Sequence, residues 1–322
     1  MIRRQFDFEQ KYRDFMSKLD QLKDQAEGMD FDLQKELVDL EARMSGIRAA
    51  KYQNLSAWER VLLSRHTDRP GAVDYIEYLF DSWMELHGDR QFGDDQAIIG
   101  GIGFFAGNPV TVIGHRKGRN TRDNVRCNFG MPQPEGYRKA HRLLKQAEKF
   151  GRPVITFIDT PGAYPGIGAE ERGQAWSISE MLMTLSSLRV PVLAIVTGEG
   201  GSGGALALAV GDRLFMLSNA VFSVASPEAC ASILWKTPEK AEEMASALKI
   251  SAGDLMELGI IDGIIEEPVG GANQDFETIA GRIKEALHKE LDILMNQDIN
   301  DLLAQRYQRI RNIGKHFINE IE

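Results

Sequence analysis

Cysteine is scarce in this chain: Cys127 and Cys230 are the only two among 322 residues. So few thiols, so far apart, point to a reducing compartment and not to a disulfide framework. No cysteine or histidine pair shows metal-ligand spacing, and the six histidines include no H-x-x-x-H. No metal is therefore expected to be held by this chain alone. A G-x-x-x-x-G-K-[ST] loop is also missing, so Asp159-Thr160-Pro161-Gly162 carries little weight as a GTPase metal motif. Excess positive charge is absent: 38 Lys and Arg face 47 Asp and Glu, a net charge of −9. That balance argues against general nucleic-acid binding. No apolar run approaches the length of a membrane span, and the first residues show no secretory pattern. No membrane association and a cytoplasmic setting are expected. The remaining composition, 43% hydrophobic and 26% charged, suits one large soluble domain with appendages, or two small domains.

What the chain does have is glycine concentrated in one place. Gly198-Glu199-Gly200-Gly201-Ser202-Gly203-Gly204 follows an apolar, β-branched run at 190–196 and precedes a small apolar segment at 205–210. The pattern reads strand, glycine turn, buried helix. A helix start presents unpaired N–H groups and a positive dipole end, and glycine lets a ligand approach that backbone. The stretch is thus either a site for an anion or a developing oxyanion, or a tight turn packed on a sheet. A second strand at 153–158 ends in Asp159-Thr160-Pro161-Gly162-Ala163-Tyr164-Pro165-Gly166, before a helix running from Glu170 to Leu188. Two such strands, each turning into a helix, favour a cleft at their carboxyl ends.

The other segments follow in order. Residues 1–50 read as a helical hairpin: Phe8, Tyr12, Phe15, Leu19 and Leu22 form one apolar seam. Leu33, Leu37, Leu40, Met44 and Ile47 form the other, with a break at Gly28-Met29-Asp30. A polar stretch to Gly71 sets a boundary, giving divisions 1–70, 71–268 and 269–322. A helix is expected over 72–87 from Val73, Ile76, Leu79, Phe80, Trp83 and Leu86, then a β-hairpin turning at Gly107-Asn108. After it, Arg116, Lys117, Arg119, Arg122 and Arg126 form a basic loop, which either holds phosphates or meets solvent or an acidic partner. The helix at 133–150 should expose Arg138, Lys139, Arg142, Lys145 and Lys149. Glu170 and Glu171 read as helix-end acids before they read as catalytic bases. Short strands at 213–217 and 220–224, further helices, a last strand near 260–265 and a helical end complete an α/β pattern of strand–strand–helix units.

The order of these elements, with Ser202-Gly203-Gly204-Ala205-Leu206-Ala207-Leu208, Gly211-Asp212 and Gly259-Ile260-Ile261-Asp262, resembles the crotonase (ClpP-like) fold. Lys117-Gly118-Arg119, Asn128-Phe129-Gly130-Met131-Pro132, residues 134–140 and Ser232-Ile233-Leu234-Trp235-Lys236 resemble one family within it, the carboxyltransferase alpha subunits of bacterial-type acetyl-CoA carboxylase. The resemblance covers nearly the whole chain. It implies a crotonase fold with an N-terminal helical hairpin and a C-terminal helical extension. It also implies carboxyl transfer from carboxybiotin to acetyl-CoA, giving malonyl-CoA for fatty-acid synthesis. The partners it implies are a zinc-bearing beta subunit in an α2β2 assembly, the biotin carboxyl carrier protein and an ATP-dependent biotin carboxylase. This chain is placed on the biotin side: Gly203 and Gly204 N–H groups face the ureido oxygen, and Gly162, Ala163, Gly200 and Gly201 border the cleft. Arg116, Lys117, Arg119 and Arg122 are expected to contact substrate or partner. Leu206 stands where hydratases of this fold carry a glutamate and cannot move a proton, which excludes hydratase chemistry there. A stand-alone acyl-CoA decarboxylase, isomerase or hydrolase, and a non-catalytic scaffold, remain the alternatives. Gly204→Val is expected to cost turnover while the complex still assembles.

Overall fold

A computed structural model describes residues 7–26 and 31–315. The elements run α1 (Asp7–Ala26), α2 (Phe31–Gln53), α3 (Ala57–Ser64), α4 (Ala72–Leu79), β1 (Asp81–Glu85), β2 (Ile98–Phe105), β3 (Asn108–His115), α5 (Thr121–Arg126), α6 (Pro134–Phe150), β4 (Val154–Thr160), α7 (Ile167–Glu171), α8 (Gln174–Ser187), β5 (Val192–Gly201), α9 (Ser202–Ala209), β6 (Arg213–Leu217), β7 (Val221–Ser223), α10 (Pro227–Trp235), α11 (Ala241–Ala247), α12 (Ala252–Glu257), β8 (Gly263–Ile265), α13 (Phe276–Met295) and α14 (Ile299–Asn312). Eight strands form one sheet in the order β1-β2-β3-β4-β5-β6-β8, with β7 alongside the end of β5. The β1–β2 and β2–β3 pairs are antiparallel and the remainder parallel. Every residue of β4 and β5 is buried, as expected where helices cover both faces of parallel strands.

Pleat alternation assigns the faces. Gly100 looks toward Leu143 of α6, and Thr156, on the same face, donates to the Leu208 carbonyl of α9 at 2.7 Å. On the other face Gly114 meets Ala72 of α4, and the Tyr75 ring stacks on Phe157 at 5.7 Å and touches Phe276 of α13. Ile279, Ile283, Leu287, Leu291 and Leu294 of α13 and Leu302 of α14 belong to the same buried core as the sheet.

Several sequence readings change. The helix expected over 72–87 stops at Leu79, and Trp83 lies on an edge strand. Phe80 is already extended, Ser82 has φ +50, and β2 presents Gly101 and Gly103 against the Trp83 ring, leaving room for β1. The hairpin turns on Ala106 and Gly107, both at positive φ between the pair Phe105 and Asn108, which is the primed turn that strand twist favours. Part of the basic loop is helical, with Asn120 capping α5, and the helix expected from Glu170 breaks at Gly173 between α7 and α8. Lys139 is not solvated: it is 1% exposed, donating to Asp94 at 2.6 Å and the Asp95 carbonyl at 2.7 Å. Arg138 likewise binds Asp89.

The α1–α2 pair is antiparallel, with Arg48 donating to Glu9 at 2.8 Å. Leu19 and Leu37 are buried with Phe15 and Met16 against them, whereas Leu22, Leu40 and Ile47 are exposed. The break at Gly28-Met29-Asp30 and the Leu33 side chain lie outside the described residues.

Candidate active site

The carboxyl end of β5 runs through the glycines as strand, up to Gly201, and α9 begins at once with Ser202. There is no intervening loop. The reversal is taken by Ser202 at φ +54, a left-handed conformation that costs a side-chain-bearing residue free energy. No side chain caps α9, so its first-turn N–H groups lack the side-chain acceptor that α3, α5, α10 and α12 have.

The glycines divide by what a side chain would meet. At Gly204 a Cβ would come to 2.5 Å from the Ala163 nitrogen and 2.6 Å from the Gly162 carbonyl carbon. At Gly201 it would run into the Pro161 carbonyl. At Gly203 the nearest atoms belong to Ile178, at 3.8 Å and beyond. Gly204 therefore lets α9 rest on the 161–163 turn, and a valine there disrupts packing before it tests chemistry. Gly203, half-buried beside exposed Ser202, is the accessible position. Gly162 spends its N–H on Thr160 Oγ1 at 3.0 Å. Gly200 lies under Phe222 of β7.

Around the ends of β4 and β5 stands an ion network that no local pattern announces. Lys117 donates to Asp159 Oδ1 at 2.6 Å, and the Glu199 N–H donates to the same oxygen at 2.8 Å. Arg65, just past α3, donates to Glu199 at 2.8 Å and to Glu228 of α10 at 2.6 Å. Burial works against the Arg65 charge, but Glu199 and Glu228 outweigh it and raise its pKa. Arg69 donates to the Thr197 carbonyl at 2.6 Å and makes a bidentate pair with Glu267, both side chains nearly inaccessible. The stretch read as a polar linker thus contains a helix that carries two arginines onto β5.

A cleft of about 1360 Å³ opens here, between α1, α3, α4 and the basic segment. Arg116, Lys117 and Arg119 line it together with Asp159, Pro161 and Glu199. Arg119 is paired with Asp74, and exposed Arg122 lies outside the lining. Gly162, Ala163, Gly200, Gly201, Gly203 and Gly204 are not in its wall either. They meet it through Pro161, whose carbonyl abuts Gly201. Glu170 and Glu171 are exposed on α7 and stand outside the cleft lining.

His115, the last residue of β3, is 1% exposed, and among the described residues neither ring nitrogen has a partner in full hydrogen-bonding geometry. Burial pushes its pKa down to about 4, opposed only in part by Asp159 and by the backbone at Gly204 and Phe157. The unfolded chain protonates this ring near pH 6.5. Its contribution to stability is therefore complete above about pH 6.5 and lost as pH falls toward about 4. Asp95 titrates with the opposite sense: burial raises it to about 6, so its cost grows as pH rises from about 3.8 to about 6. Urea unfolding at pH 7.5 and pH 5 should show His115→Phe keeping about 2 kcal/mol more of its stability on acidification than the unsubstituted chain. Equal losses in the two proteins would remove His115 as a source of acid sensitivity.

Residues 5–314 match a family described as acetyl co-enzyme A carboxylase carboxyltransferase-like. The chain is 62% identical over 315 residues to the acetyl-coenzyme A carboxylase carboxyl transferase subunit alpha of Syntrophomonas wolfei, covering 98% of this chain and 99% of that one. To the subunit of the same name from Carboxydothermus hydrogenoformans it is 54% identical over 313 residues, covering 97% of each. Among solved structures, transcarboxylase 12S with methylmalonyl-coenzyme A and methylmalonic acid bound gives a TM-score of 0.59 at 16% identity, over 72% of this chain and 43% of that chain. A Pseudomonas malonate decarboxylase hetero-tetramer in complex with coenzyme A gives 0.56 at 18% identity, over 72% and 94%. At these identities the two structures speak for the fold.

Proposed function

Because the chain belongs to the acetyl-CoA carboxylase carboxyltransferase family, as an alpha subunit, we propose that its part in the reaction is to hold the biotin side at the start of α9. It is a carboxyltransferase subunit of crotonase fold, and its reaction serves fatty-acid synthesis. The family's reaction uses acetyl-CoA and biotin carried on a partner, and an alpha subunit works within a complex. The finer assignments are our reading: a zinc-bearing beta subunit in an α2β2 assembly, and the biotin carboxyl carrier protein and biotin carboxylase as further partners. A chain with two unpaired thiols, and among the described residues no helix long and apolar enough to cross a membrane, suits a cytoplasmic setting.

The observation that carries the reading is the uncapped start of α9 against the 161–163 turn. Carboxybiotin, when bound, supplies an activated carboxyl group and takes up negative charge on its ureido oxygen. The residues present fit that group, because beyond its chain neighbours a Cβ at Gly203 would meet nothing nearer than Ile178 at 3.8 Å, which leaves room for a flat polar ring at the start of α9. Gly203 and Gly204 N–H groups then serve as fixed donors, each worth about 3 kcal/mol where charge develops. Gly162, Ala163, Gly200 and Gly201 shape the border of that site. Arg116, Lys117 and Arg119 offer cationic groups on the adjoining cleft, in a lining that also holds Asp74, Asp159 and Glu199. The Leu206 side chain, 42% exposed one turn along α9, offers no acid or base.

The test is reconstitution. The chain alone should give no malonyl-CoA, while the chain co-purified with the beta subunit should form it in a biotin-dependent assay. Robust turnover of acyl-CoA by the isolated chain would point to a stand-alone enzyme. Full activity of the complex after loss of the α9 donors would leave only a scaffold role.

A further inference from the structure

Lys117 stands two residues past β3, with its stem threaded over Gly130. A Cβ at Gly130 would come to 2.6 Å from Lys117 Cγ. Gly130 is the third of three consecutive residues at positive φ, after Asn128 at +45 and Phe129 at +54. Two side-chain-bearing residues in that region cost free energy, and such strain concentrates where geometry serves function. Here it fixes the lysine stem and sets the Phe129 ring, 50% exposed, into the cleft wall.

At the far end, the ammonium gives one proton to Asp159. Its second acid neighbour, Glu199 Oε2, is 3.8 Å away, too far for a hydrogen bond, and Glu199 is already engaged by Arg65. An ammonium has three protons. Lys117 lines the cleft with 27% of its side chain exposed, which leaves the protons not given to Asp159 available to a ligand there. Pro161, in the same wall, abuts the glycine that precedes α9, which connects the lysine's cleft to the turn bearing the proposed oxyanion donors.

Given the biotin-side reading above, we propose that Lys117 binds the carboxylate of the carboxylated biotin substrate through the N–H groups that Asp159 and Glu199 leave open. Asp159 is the positioning residue that aims it. The competing role is plain neutralisation of two buried acids, and charge-matched variants separate the two.

The experiment uses the assembled enzyme and the biotin carrier protein, carboxylated and uncarboxylated. Binding is read by fluorescence titration with acetyl-CoA withheld, so that nothing turns over. Lys117→Met should weaken binding of the carboxylated carrier by about tenfold or more. Binding of the uncarboxylated carrier and KM for acetyl-CoA should stay within about twofold. The double variant Lys117→Met with Asp159→Asn should recover the melting temperature without recovering preference for the carboxylated carrier. Recovery of both, or unchanged preference in Lys117→Met, overturns the role of Lys117 and leaves the biotin-side reading standing. A rise confined to KM for acetyl-CoA overturns both.

Discussion

Gly203→Pro in the assembled enzyme is expected to lower turnover by about 100- to 1000-fold, while Gly203→Ala stays close to the unsubstituted rate. The two variants add bulk at the same point, but only proline removes the N–H. Space is not the issue, since the nearest atoms to a Cβ there are 3.8 Å away. Proline also suits the first turn of a helix, where its missing N–H breaks no helical hydrogen bond. Ser202, at φ +54, is an unfavourable residue before proline, so melting temperature and assembly are read before kinetics. The charge on the ureido oxygen develops during reaction, so the loss should fall on kcat more than on KM. A folded, assembled Gly203→Pro enzyme as active as Gly203→Ala would falsify the oxyanion assignment. The Lys117 experiment reads binding and this one turnover, so either can fail without the other.

The largest stability effect is expected at Arg306. Its side chain is fully buried and donates five hydrogen bonds: two to the Asp212 carboxylate at 2.8 and 2.7 Å, and one each to the carbonyls of Leu185, Leu188 and Val190. Asp212 in turn accepts the Val192 N–H at 2.7 Å. Arg306→Met leaves a buried carboxylate without its counter-charge and strands three carbonyls. Breaking one side of such a pair costs about 3–5 kcal/mol. Urea unfolding should show that loss, and adding Asp212→Asn should return part of it by removing the uncompensated charge. If Arg306→Met falls by less than about 1 kcal/mol, the ion pair is not a principal support of this end of the sheet.

Local pattern made much of the framework legible. The strand cores at 153–158 and 190–196, the hairpin, α6 and the glycine-to-helix passage all follow from runs of β-branched residues, punctuation by glycine and helical spacing. Trp83 misled because three-four spacing continues from α4 into β1, and only the glycines on the facing strand reveal the edge. In α3 the Ser56 and Glu59 capping pair was readable, but the surrounding polarity masked a helix burying Trp58, Val61 and Leu63. Lys139 looked solvated because its acid partner lies 45 residues away. The glycine turn was legible as a candidate site, yet its ion network was not. Arg65 meets Glu199 across 134 residues and Lys117 meets Asp159 across 42, distances at which no periodicity connects two charges. Gly203 and Gly204 looked equivalent in the sequence, and the 161–163 backbone is what distinguishes them.

The Arg306 clamp also sets an order of events during biosynthesis. Asp212 and the β5 residues it steadies leave the ribosome well before residue 306 does, yet their counter-charge arrives only with α14. Until then the turn entering β6 has a carboxylate without its counter-charge, which favours hydration of Asp212 over burial against β5. Emergence of α14 then supplies the counter-charge that lets this turn bury. A chain truncated before α14 would hold its catalytic motifs in sequence but lack the clamp, leaving it open to quality-control proteases.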